Sequence, residues 1–107
     1  MFARIVSMPL KAGTKSEFGK AIANEVIPLL RAHKGFLDEI SVVSSDGKTA
    51  FGISFWDSKE NAEAYHRTGF SAVMKPLESM VSGPAEVKLC EVTNSTAHKI
   101  AAAAGAR

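Results

Sequence analysis

The chain has 107 residues, 46% of them hydrophobic, and a formal charge of +2 left by thirteen basic and eleven acidic side chains. That length fits one domain with one core and leaves no room for a second, and charges scattered without a dense basic run give nucleic-acid binding little support. A single cysteine, Cys90, excludes an internal disulfide and a cysteine-based zinc site within one chain, which suits a reducing cytoplasm.

Phe2 to Met8 is apolar apart from Arg4 and reads as a first strand, broken at Pro9. Arg4 and Pro9 leave this opening without an uninterrupted apolar segment of signal-peptide type, and no later stretch approaches a membrane span. A soluble, unprocessed cytoplasmic chain with no membrane partner is expected. After a turn through Lys11-Ala-Gly13, Thr14 with Glu17 three residues on has the capping-box spacing that starts a helix. Phe18, Ala21, Ile22, Val26, Leu29, Leu30 and His33 then recur at helical steps, a stripe that needs a sheet to cover it, with a kink or restart expected at Pro28. Lys34-Gly35 supplies the basic last turn and the left-handed exit.

Phe36 to Ser44 is a second strand, and the tight Asp46-Gly47 turn returns the chain antiparallel as a third. There Phe51, Ile53 and Phe55 alternate with a period of two, and the strand ends at Trp56. Ser58 can cap the next helix, with Glu60 and Glu63 near its positive end. That helix runs to Arg67 or Thr68 before Gly69 breaks it. Phe70, Val73, Met74, Leu77 and Met80 continue a helical stripe that Pro76 should bend and Ser82-Gly83-Pro84 ends. Glu86 to Val92 is the last strand.

The order is β-α-β-β-α-β, an α+β, ferredoxin-like arrangement: a four-stranded antiparallel sheet with helices on one face. Phe2, Val6 and Met8 oppose Ala3 and Ile5 across the first strand, and Phe51, Ile53 and Phe55 oppose Ala50, Gly52 and Trp56 across the third. Neither face is made for water. Two apolar faces need a second covering layer, and since the chain has no spare helices, a second copy of the sheet is the simplest cover. The domain is expected over residues 1–95, with the alanine-rich residues 96–107 as a loosely held tail.

Side chains with catalytic potential are few. His33, His66 and His98 are the only imidazoles, and no pair has the four-residue helical spacing of a common metal site. His66 follows Tyr65 on the helix after Trp56, where one of the two can be aimed into a pocket between helix and sheet as a general base or proton donor. The competing reading packs Tyr65 with its hydroxyl satisfied and leaves His66 in solvent. His33 reads as a helix-end cap, and His98 has no assigned role. Trp56 can stack on a planar aromatic ligand or close the core beneath the next helix. Arg4, a cation in an apolar strand, must reach water, a carboxylate such as Asp38 or Glu91, or an anionic substrate. Met8, Met74 and Met80 suit an adaptable cavity or ordinary core filling. Cys90 is a buried strand thiol with no activating cation beside it.

The junction Phe51-Gly-Ile-Ser-Phe-Trp-Asp-Ser-Lys-Glu-Asn-Ala-Glu-Ala-Tyr-His66, with the elements around it from Phe2 to Val92, resembles the antibiotic-biosynthesis-monooxygenase-like family of dimeric α+β barrels. The resemblance implies a homodimer whose pocket, between sheet and helices, binds an apolar or aromatic small molecule. It also implies monooxygenation of an aromatic or quinone-like metabolite with no cofactor. His66 and Tyr65 are then the catalytic candidates, and Trp56, Arg4 and Met74 the substrate-binding ones, with no metal. A non-catalytic binding or stress-response protein of the same fold is the alternative. The family's haem-degrading branch typically has an asparagine in the first strand, a tryptophan on the helix and a histidine farther along. Those places fall near Val6 or Ser7, at Tyr65 and near Lys75, so haem degradation is disfavoured.

Overall fold

The alternating strands pair into one four-stranded antiparallel sheet of order β2-β3-β1-β4 in a computed structural model of the protein, which describes residues 1–100. β1 (Phe2–Pro9) lies between β3 (Thr49–Trp56) and the edge strand β4 (Glu86–Glu91), and β2 (Phe36–Val43) forms the other edge. The first crossing of the sheet is made by α1 (Lys15–Ala21), a π-helical turn (Ile22–Val26) and α2 (Ile27–Arg31). The second is made by α3 (Lys59–Thr68), α4 (Phe70–Met74) and a 3-10 turn (Lys75–Met80). This is the ferredoxin-like arrangement expected from the element order.

Local chemistry explains where the helices start and yield. Ser58 caps α3, its hydroxyl accepting from the Asn61 N–H at 3.1 Å. Ser58→Ala is therefore expected to lower stability by about 1 kcal/mol, read as a lower denaturation midpoint at unchanged slope. The capping box expected at Thr14 does not form: the Thr14 hydroxyl donates instead to the Lys11 carbonyl at 2.7 Å, closing the turn that precedes α1. The break expected at Pro28 is placed earlier. The helix widens over Ile22–Val26, so Pro28 falls in the first turn of α2, where its missing N–H does least harm. Gly35 leaves α2 with φ +85° and passes beneath Asp57 and Asn61, where a Cβ would collide with both side chains.

The two faces of the sheet carry opposite size patterns. Toward the helices β3 presents Ala50, Gly52, Ser54 and Trp56, against which Val6, Met8, Phe18 and Leu77 build the core. Away from them, Phe51, Ile53 and Phe55 align with Ile5 of β1 and with Ile40 and Val42 of β2. Ile40 is 48% exposed and Val42 45%, so this outer face is apolar and open in the single chain. β2 inverts the usual pattern, turning Glu39 and Ser41 under the helices and Ile40 and Val42 outward. A register shift between Phe36 and Asp38 makes this compatible with Phe36 packing edge-on to Trp56 at 5.6 Å.

Cys90 is half-buried on the outer face, opposite Ala3. After β4 the chain returns across that face: His98 Nε2 lies 3.2 Å from Asp38 Oδ2, and its ring is 5.9 Å from Phe55. The alanine-rich stretch expected as a loose tail lies, beyond Ile100, outside the described residues. No described helix is long and apolar enough to cross a membrane.

Candidate functional site

Arg4 projects from a central strand toward the helices and is 2% exposed, a cation held inside the fold. Neither carboxylate anticipated from the sequence pairs with it. Asp38 aligns with Phe55 on the outer face, where His98 Nε2 is its contact, and Glu91 pairs with Phe2 at the exposed edge. Arg4 Nη2 instead donates to His66 Nδ1 at 2.8 Å. The guanidinium carbon also stands 4.9 Å from the ring centre of Tyr65 and 4.6 Å from that of Phe70, so two π-faces contribute to its stabilisation. A guanidinium can only donate, which makes Nδ1 the acceptor and leaves the proton of neutral His66 on Nε2.

Helix α3 places Tyr65 inward and His66 at the surface beside it, because consecutive helical residues point about 100° apart. His66 is nevertheless anchored, stacking on Phe70 with ring centres 5.5 Å apart. Tyr65 stacks on Trp56 at 4.8 Å and receives the edge of His33 at 5.0 Å. His33 thus packs against the site rather than only closing a helix. Gly69 permits this approach, since a Cβ there would collide with the His33 ring. Trp56 is fully buried, its indole N–H donating to Ser54 Oγ at 2.9 Å, and it supports Tyr65 from the core side. Of its two sequence readings, the structure places it as the plug of the strand-to-helix junction.

A cleft opens between these residues and the helices because β3 offers only small side chains there. Arg4, Glu39, Ser54 and Tyr65 reach it, and Met8 and Met74 line its apolar walls. About 40 Å³ is open to water centres, room for a few waters and not for an aromatic ring. Met80 lies in the core.

Glu39 is the group that the sequence reading misses. Ser41 Oγ donates to Glu39 Oε2 at 2.7 Å, and burial raises the carboxyl above its ordinary range, with the Ser41 hydrogen bond opposing the rise. Burial likewise pushes the Tyr65 phenol up to about 12, against the pull of the Arg4 cation. Tyr65 is therefore a protonated donor near neutral pH. Burial also lowers Arg4 from its ordinary value, without making deprotonation accessible to a guanidinium. The cleft thus combines a fixed cation, a carboxylate disposed to hold a proton, and a phenol that keeps its own.

On the other side of the Arg4–His66 pair, a groove of about 470 Å³ runs between α3 and β4. No group of three or more metal-ligating side chains gathers among the described residues.

No protein-family model matches the chain, and comparison with curated proteins gives no match. Solved structures do share its fold. A monooxygenase of Streptomyces coelicolor, solved in complex with nanaomycin D, is 20% identical with TM-score 0.74 over 88% of each chain. A presumed antibiotic biosynthesis monooxygenase of Bordetella bronchiseptica is 16% identical with TM-score 0.73, covering 87% of this chain and 97% of its own. SnoaB, a cofactor-independent oxygenase from Streptomyces nogalater, is 15% identical with TM-score 0.68, covering 91% of this chain and 97% of its own. At these identities the likeness is one of fold, and it is the fold of proteins named as antibiotic biosynthesis monooxygenases.

Proposed function

We propose that the protein is a homodimer that binds an aromatic, phenolic or quinone-forming small molecule in the cleft and oxygenates it without a cofactor. The observation that carries this reading is the buried Arg4 cation, which has no carboxylate partner among the described residues, in the same apolar cleft as Glu39. Such a pair suits a substrate that loses a proton and becomes an enolate. Glu39 would take a proton from an acidic CH2 conjugated to a phenol, and Arg4 would stabilise the negative oxygen. The carbanion carbon then bonds to O2, and the resulting peroxide anion takes a proton. The second C–H proton leaves to a base as the O–O bond breaks, so CH2 and O2 become a carbonyl and water. Tyr65, protonated, is the donor in the cleft, and His66, on the other side of Arg4, would hold the guanidinium in place through Nδ1.

Three features support the reading. The fold is shared with proteins named as monooxygenases and as a cofactor-independent oxygenase, one of them solved in complex with nanaomycin D. The outer face, with Ile40 and Val42 half exposed, suits coverage by the same face of a second copy. Phe70 and Met74 sit on α4, a five-residue helix between Gly69 and the 3-10 turn. That short segment, with its pliable methionine, is where the cleft would have to widen to admit a ring.

The small volume of the closed cleft favours a second reading, a non-catalytic binding or stress-response protein. Oxygen uptake by metal-free, flavin-free protein presented with anthrones and hydroquinones separates the two. One O2 consumed per carbonyl formed is expected, with His66→Ala or Tyr65→Phe lowering turnover about a hundredfold while the fold is kept. Full activity in Tyr65→Phe would remove Tyr65 as the proton donor, and full activity in His66→Ala would remove His66 as a positioning residue for Arg4. If no phenol, quinone, flavin or haem binds, the non-catalytic reading replaces this one.

A further inference from the structure

The Arg4 guanidinium borders two spaces: the inner cleft and the groove between α3 and β4. From the groove it is approached along a floor formed by Val87 and Leu89 of β4, the latter 37% exposed. His66 and Arg67 line the helix side. Arg67 forms no ion pair among the described residues, although Glu63 stands one turn before it on α3. Two cations without an anionic partner among the described residues therefore meet an apolar floor in a space of about 470 Å³, the size of a site for a small organic molecule.

We infer that this groove binds an aromatic carboxylate, its anionic group held by Arg4 and Arg67 and its ring lying on Val87 and Leu89. A desolvated cation is stabilised most by an anion that also hydrogen-bonds, and a carboxylate can take two guanidinium donors side by side. His66 Nδ1, a neutral acceptor, occupies one Arg4 nitrogen and leaves that charge uncompensated. Glu63 is the opposing group: its carboxylate lines the same groove and repels an incoming anion. The inference goes beyond the proposed function: it assigns a second site that shares only Arg4 with the cleft.

The test compares 2-naphthoate with 2-naphthamide, equal in shape and different in charge, binding to the full chain by calorimetry and by amide NMR shifts. Naphthoate is expected to bind about tenfold or more tightly than the amide, with the preference shrinking as salt is raised. The shifts should centre on residues 62–67 and 87–89. Arg67→Gln should weaken naphthoate binding several-fold and leave naphthamide unchanged, while Glu63→Gln should strengthen naphthoate binding; both positions are exposed, so both variants are expected to fold. Equal affinity for the two probes, indifference to both substitutions, or shifts confined to other elements would overturn the site. Naphthoate bound at the groove of a protein that consumes no oxygen would uphold this inference and end the oxygenase reading. Oxygen uptake without any preference for carboxylates would do the reverse.

Discussion

Ile40→Asp is expected to turn a dimer into folded monomers. In the lone chain Ile40 is 48% exposed, so an aspartate there costs the fold little, as surface substitutions do. In a dimer built on the outer face the same charge enters an apolar layer without a counter-ion. A two-fold interface contains every substitution twice. At about 2 kcal/mol for each buried, unpaired polar group, two copies weaken association by about 4 kcal/mol, roughly a thousandfold in dissociation constant. Light scattering at micromolar concentration should report twice the 11.4 kDa chain mass for the natural protein and the single mass for the variant, with circular dichroism unchanged. Ile53→Asp, between Ile5 and Ile40 in the middle of the face, should in addition destabilise the chain itself by several kcal/mol. A natural protein that is monomeric, or an Ile40→Asp variant that stays dimeric, would remove the second sheet as the cover of this face.

Glu39→Gln should have the largest effect on turnover, about a hundredfold or more if the carboxylate takes the substrate proton. Its pH behaviour is distinctive. A base works only when ionised, so the rate should rise with pH through the raised pKa of Glu39, with the acid limb lying above the usual carboxylate range. The linkage has the opposite sensitivity. A carboxyl whose folded-state pKa is raised holds its proton more tightly when folded, so its stabilising contribution is full below the unfolded value and is lost as pH rises through the folded one. Glu39→Gln should thus be more stable than the natural protein near neutral pH, and the difference should vanish in acid. A variant less active and also less stable at neutral pH would mark Glu39 as structural. Full activity in Glu39→Gln would place the base elsewhere.

The fold was legible because its elements obey simple periods. Alternation in β1 and β3 separates the two faces, Ser58 announces α3, and Asp46-Gly47 announces the hairpin. β2 was legible as a strand and not as a contributor to the site. Glu39 and Ser41 alternate with Ile40 and Val42, a pattern that ordinarily sends the polar set to water, whereas here the polar set lies under the helices. Which set faces inward depends on a register shift at the start of the strand and on what covers the other face, both tertiary facts. The partner of Arg4 was hidden for another reason. Searching for its opposite charge leads to Asp38 or Glu91, but the contact made is with a neutral imidazole 62 positions away. His98 had no visible task, and its meeting with Asp38 arises only when the chain after β4 folds back.

The small side chains of Gly52 and Ser54 set how much of the cleft the β3 side leaves open. A Cβ added at Gly52 would stand 3.7 Å from Glu39 Oε2, in ordinary contact, so the next increment of bulk would begin to occupy the chamber itself. On this wall, capacity is therefore encoded as side-chain volume on a strand paired on both sides. Because every second residue of that strand looks the other way, the inner gauge can be altered one carbon at a time while Phe51, Ile53 and Phe55 stay as they are. The bulk bordering the cleft and the apolar character of the outer face are thus written on alternate letters of the same eight residues, and either can be changed without rewriting the other.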